Sequence, residues 1–199
     1  PAEPAPAEPA PAEPAPAEES PSDERVPASD PPPQVPAGGV QTSAASSGRF
    51  TLLVNLGGGP WQDPAGNAWV PSKDFDGATF GHEAGTKIES DAADHPMYGT
   101  AVRKLTAFRA VVPNGEYRVE LHFHEHWSRD PADRSFVVAV EQRPVLRPGL
   151  FFQGPGMGQP YVHAVNKVIV KDGRLDVDFS PVSPGSLTIL NGIAIWQVR

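Results

Sequence analysis

The 199-residue sequence has no cysteine, which excludes disulfide scaffolds, thiol catalysis and Cys-ligated zinc. It has no Asn-x-Ser/Thr sequon, so no glycosylation signal argues for a eukaryotic secretory origin, which fits a bacterial source. No apolar run approaches the roughly 18 residues that span a bilayer, and no charged start leads into an apolar segment as in a signal peptide. Membrane insertion is therefore not expected of this chain. It begins at Pro1 rather than Met, as an excised or processed piece would. Residues 1–49 hold no Phe, Trp or Tyr, whereas residues 50–199 hold all 16 aromatics with 14 basic and 16 acidic side chains. That near-neutral balance lacks the basic stripe that nucleic acid requires.

Two materials are joined here. Residues 1–49 carry 13 of the 25 prolines and eight acidic residues against two basic ones, and residues 1–18 repeat Pro-Ala-Glu-Pro-Ala with period five. With no apolar side chains to bury, this segment cannot offset the entropy of ordering. We expect a disordered Pro/Ala/Glu-rich linker that favours polyproline II, at about 3.1 Å per residue a spacer on the order of 100 Å. Disorder without a selected length, and a ligand for a PxxP-reading domain, are the other readings. Residues 50–199 are the size of one domain with its own core.

From Phe50 onward, short runs rich in Val, Ile, Leu and Phe alternate with Gly, Pro, Asn and Asp. The runs are Thr51–Leu56, Phe108–Val112, Tyr117–Phe123, Ser135–Val140, Val162–Val170, Leu175–Phe179 and Leu187–Val198. Asn114-Gly115 and Asp172-Gly173 each separate two such runs, as hairpin turns do. No window carries a helix-period apolar stripe, so the expected fold is all-β, an antiparallel β-sandwich or jelly roll. In one run Tyr117, Val119, Leu121, Phe123 and Glu125 alternate with Arg118, Glu120, His122, His124 and His126. The first set should face the core, and Glu125, a carboxylate at the end of an apolar face, needs a partner. Arg134 is the expected one.

His122, His124 and His126 invite a metal reading. Three residues at i, i+2 and i+4 span about 13 Å of extended chain, so at most two could ligate one ion without a sharp bend, with His82, His95 or His163 completing the set. Solvated or sugar-contacting imidazoles are the preferred reading. There is no Gly-x-Ser-x-Gly elbow, phosphate loop or His-Glu-x-x-His, and nothing calls for a cofactor. Asp63, Asp74, Asp76, Asp91, Asp94 and Glu125 could supply paired carboxylates, but read more simply as loop and turn residues. Loop aromatics are more informative: Trp61, Trp69, Tyr98, Trp127 and Phe151-Phe152 lie at strand ends among Asn, Asp and His. Flat rings there stack on sugars while nearby polar groups hold hydroxyls; for Trp61 and Trp69, a place in the core is preferred.

The order of motifs resembles a malectin domain. The matching stations are Leu53-Val54-Asn55-Leu56-Gly57-Gly58, Asp63 to Trp69, Met97-Tyr98-Gly99-Thr100 with Arg103, Val112 to Val119, Leu121 to Glu125, Arg134 to Val138, Asp172 to Val177, and Leu190 to Ile195. The resemblance implies a non-catalytic carbohydrate-binding β-sandwich, found in extracytoplasmic proteins. Tyr98 matches the tyrosine of the family's Tyr-x-Thr motif, and Trp127 falls where the lectin has a tyrosine. Ser128 stands where it has a phenylalanine, Ser186 near an aspartate, and the early aromatic contact falls at Phe80 to His82. The expected site is Tyr98 and Trp127 for stacking, with hydroxyl contacts from His124, His126, Asp94 or Asn191. Its ligand would be an oligosaccharide or polysaccharide. The competing reading is a protein-interaction or structural sandwich that has lost the sugar site.

Overall fold

A computed structural model describes residues 49–91, 95–148 and 157–198. The proline-rich segment, Asp94 and Phe151-Phe152 fall outside these residues. One sheet has six strands in the order β11 (Tyr161–Val170), β8 (Gly115–Phe123), β14 (Gly192–Gln197), β1 (Thr51–Asn55), β3 (Ala68–Pro71), β2 (Trp61–Gln62). A second has five, β10 (Arg143–Leu146), β9 (Phe136–Val140), β12 (Arg174–Pro181), β7 (Ala107–Val111), β4 (Phe80–Glu83). A third, β13 (Ile189–Leu190), β6 (Thr100–Arg103), β5 (Thr86–Glu89), has three. Among the described strands the ladders are antiparallel except that of β1 with β3.

The expected all-β sandwich is what forms. Alternate residues of β8, β1 and β14, among them Val119, Leu121, Val54 and Ile193, meet Phe108, Val138, Leu175 and Val177 of the five-stranded sheet in one buried core. The three-stranded sheet adds Ala101, Val102, Ile189 and Leu190 to it.

Both Gly-containing turns differ from the hairpins expected of them. β7 and β8, which flank Asn114, lie in different sheets, as do β11 and β12, which flank Asp172-Gly173. Each turn is an arch carrying the chain across the core. The arches hold each other: Gly173 N–H donates to Asn114 Oδ1 at 2.8 Å, and Val112 N–H donates to Gly173 C=O at 3.0 Å. Gly173 has φ +80°, the left-handed conformation that its lack of Cβ permits. Between β9 and β10 a tight turn uses Glu141 and Gln142, at φ 48° and 61°, with no Gly to signal it.

The expected ion pair forms at the end of the apolar face of β8. Glu125 and Arg134 are 1% and 2% exposed, and Arg134 Nε donates to Glu125 Oε2 at 2.5 Å. Glu125 Oε1 accepts from the backbone N–H groups of Trp127 and Ser128, at 2.6 and 2.7 Å. Arg134 comes from a single 3₁₀ turn, Pro131–Arg134, capped by the Asp130 side chain. Removing one member strands the other's charge in the core. Arg134→Met is expected to cost about 3–5 kcal/mol, read as a lowered midpoint in urea unfolding, and a loss under about 1 kcal/mol would contradict the account.

Candidate functional site

Past Phe123 the chain leaves the sheet, and Asn191 takes over from the ladder. Its Oδ1 accepts from His124 N–H at 2.7 Å, its Nδ2 donates to Thr100 C=O at 2.7 Å, and its backbone N–H donates to His122 C=O at 3.0 Å. Asn191 is 0% exposed. It therefore belongs to the frame behind the site, and the sugar contact expected of it gives way to three structural bonds. Asn55, also buried, does similar work beside it, donating to Gly59 C=O at 2.9 Å and accepting from Thr100 Oγ1 at 3.3 Å.

The face of β8 opposite the core is not simply solvated. Leu53, Trp69, Met97 and Ala194 form a second buried cluster, with Trp61, Tyr98 and Trp196 packed on it. Small residues in the sheet let the loop before β6 settle there: a Cβ at Gly192 would meet Met97 Sδ at 2.2 Å and Trp69 at 3.3 Å. Trp69 is core, as preferred, though of this outer cluster. Its ring stacks on Trp61 at 6.0 Å and stands edge-on to His122 at 5.3 Å, while its indole N–H donates to Asp63.

His122 and His124 are buried under this cluster, a correction to the solvated reading. Tyr98 lies among the imidazoles, its ring 4.7 Å from His95, 5.3 Å from His124 and 6.2 Å from His122. Its hydroxyl meets His122 Nδ1 at 3.1 Å, and its carbonyl accepts from His124 Nδ1 at 3.3 Å. Because the chain bends after β8, the His126 ring folds back to 3.8 Å from His124, and Trp127 stands 5.7 Å beyond. Trp127 donates its indole N–H to Glu89 C=O at 3.2 Å. The Nε2 atoms of His122, His124 and His126 and Nε1 of Trp61 are buried without a hydrogen-bond partner among the described residues.

An open groove of about 360 Å³ adjoins this cluster, lined by Glu89, Ser90, Asp91, His95, Pro96, Gly99 and Thr100. His95 belongs to both. So the structure brings together Tyr98, His124, His126 and Trp127, and adds His95 and His122, which the expected set lacked. Their signal was present, His95 two residues before Met97 and His122 the first of the three alternating histidines, but the sequence does not show which loop covers the strand. Of the other histidines, His82 bonds to Ala84 C=O and His163 to Tyr161, and Phe80 is core. Among the described residues no group of three or more His, Asp or Glu is arranged to hold a metal ion. Asp63 and Asp76 organise their own turns.

Burial governs the site's charge state. It pushes His122 down to about 4, against Glu120, which favours the charged form, and with His95, which opposes it. His95 and His126 are lowered by burial and then by His124. Burial, with Glu120 adding, raises the Tyr98 hydroxyl to about 12. At neutral pH these rings are uncharged. For His122 the folded state disfavours the proton, so its contribution to stability is whole above the ordinary histidine value of 6.5 and is lost as pH falls, completely below about 4. The loss is expected to reach roughly 3 kcal/mol. Denaturant unfolding across that interval checks it: His122→Asn should flatten the slope, and an unchanged slope would place the acid sensitivity elsewhere.

The malectin domain family profile matches residues 50–194. Among solved structures the chain is similar to a Bacteroides uniformis β-glucuronidase, at 21% identity and TM-score 0.65 over 75% of this chain and 18% of that one. It is also similar to the ANX2 ectodomain from Arabidopsis thaliana, at 16% identity and TM-score 0.61 over 75% and 42% of the two chains. The plant receptor-like kinase FER matches at 19% identity and TM-score 0.58, again over 75% and 42%. The chain thus spans less than half of each. These likenesses show the fold. Against curated proteins the sequence finds no match. Among the described residues no helix is long and apolar enough to cross a membrane.

Proposed function

The chain belongs to the malectin domain family, and from that premise we propose that residues 50–199 are a non-catalytic carbohydrate-binding module of a larger extracytoplasmic protein. The observation that carries this reading is the convergence of half-buried Tyr98 and Trp127 with His95, His124 and His126 beside an open groove. Rings so placed offer apolar faces to a pyranose, and the imidazoles and groove carboxylates meet its hydroxyls. The site is preorganised, because the Glu125–Arg134 pair fixes the backbone of Trp127 and Asn191 fixes that of His124. Preformed geometry lowers the cost of binding. Asp94 keeps its place in the proposed set.

A second reading, a protein-interaction sandwich without sugar binding, draws on the two positions that depart from the lectin. Ser186 Oγ donates to Ser135 C=O at 2.7 Å, and Ser128 Oγ bonds to Asp133 at 2.5 Å. Both hydroxyls are engaged within the protein. A glycan array with Trp127→Ala alongside separates the readings. The parent should bind a defined oligosaccharide and the variant should lose more than about tenfold in affinity. A blank array from well-folded protein would favour the second reading, and equal binding by the variant would move the site away from Trp127.

A further inference from the structure

Trp61 lies on β2, a two-residue strand at the end of the six-stranded sheet. Cross-strand pairing with Trp69 puts both indoles on the outer face. Trp69 is 5% exposed, whereas Trp61, on the outermost strand, stays half-buried. The turn that joins the two strands is held by Asp63, which accepts the Trp69 indole N–H at 3.1 Å and the backbone N–H groups of Ala65 and Asn67 at 3.0 and 2.9 Å. Trp61 is thereby kept stacked on Trp69, with 22° between the ring planes.

Contacts on both sides of the groove lead to a tryptophan. His95 meets Trp61 edge to face at 4.9 Å and lines one side of the groove with Pro96, Gly99 and Thr100. Glu89 lines the other side with Ser90 and Asp91, and its carbonyl takes the Trp127 indole N–H. The two sides are tied together, Glu89 pairing with Thr100 and Ser90 N–H donating to Gly99 C=O at 2.8 Å. From Trp61 the rings of His95, Tyr98, His124 and His126 lead to Trp127 in steps of 3.8–5.7 Å. With four rings between the indoles, one pyranose cannot stack on both, and a ligand that uses both must be a chain.

We infer that Trp61 is a second stacking platform of the site, and that the ligand is an internal stretch of a linear glycan lying across the groove between Trp127 and Trp61. The inference rests on the carbohydrate-binding reading above. A site for a chain end encloses that end, whereas this groove is open to solvent and lets a chain run on past both platforms. An indole offers a large apolar face for stacking, and one already fixed in place loses little freedom on binding.

Calorimetric titration of the full chain tests this with linear oligosaccharides from dimer to hexamer, in glucose, xylose, mannose, galactose and N-acetylglucosamine series. In a series that binds, the hexamer should exceed the dimer by roughly threefold to tenfold, the worth of one further stacking contact. Reduction of the hexamer's terminal sugar to the alditol should leave its affinity in place. Trp61→Ala should weaken the hexamer more than the dimer, and Trp61→Phe, which keeps a ring against Trp69, should retain part of the gain. Trp127→Ala should weaken every length. Equal affinity at all lengths, a gain that Trp61→Ala leaves whole, a Trp61→Ala loss as large for the dimer as for the hexamer, or binding lost on reduction overturns the inference while sparing the carbohydrate reading. Binding in none of the series defeats that reading and this inference with it.

Discussion

A buried carboxylate with its guanidinium holds in place the loop that follows β8. Glu125 continues the apolar face of β8 into the buried interior, where an unpaired charge would be prohibitive. Arg134 removes that obstacle, and the second carboxylate oxygen is free to gather the backbone N–H groups of Trp127 and Ser128. One ion pair therefore does two things: it closes the sandwich core and sets the course of the loop that carries Trp127. Buried pairs of this kind add little net stability against an apolar replacement. What this one supplies is position.

Two buried asparagines extend the same logic to the neighbouring loops. An amide carries both a donor and an acceptor, so a single side chain can tie together two segments that do not form a ladder. Asn191 ties the end of β8 to β6, and Asn55 ties the segment through Gly59 to Thr100. Gly192 then leaves room for Met97 on the sheet surface, and Tyr98 follows into the ring of imidazoles. The candidate site is the outer surface of a second, small core laid on the back of the six-stranded sheet.

How much of this could be read from sequence depended on whether the signal was local. The period-2 alternation from Tyr117 to Glu125 identified the core face of β8 and, through the misplaced carboxylate, the partner Arg134. The long strands matched their apolar runs to within a residue or two at most ends. β2 to β6 and β10 went unread because they are two to four residues long, too short to show a period, and β3, β4, β5 and β10 also include Gly, His, Lys or Pro. The run Leu187–Val198 divides at Asn191 into strands of different sheets, a break that apolar composition hides. Asn114-Gly115 and Asp172-Gly173 show that a turn is needed but not which sheet the chain enters next. Asn191 was read as a ligand contact because burial of a polar side chain is a tertiary fact. The imidazole cluster needed knowledge of what covers β8, which lies some 25 residues upstream at His95 to Tyr98.

The paired arches also bear on the order in which such a fold is made. Successive strands at both arches enter opposite sheets, so neither junction can nucleate as a self-contained hairpin. Strand β14 lies between β1 and β8, and its ladder joins Val54 to Ile193 across most of the domain's length. Most pairings thus await long-range closure, the regime in which folding is slow for a domain of this size. During synthesis the central strand of the larger sheet is among the last made, and until it arrives β1 and β8 keep open edges, a need for protection that the finished sandwich conceals.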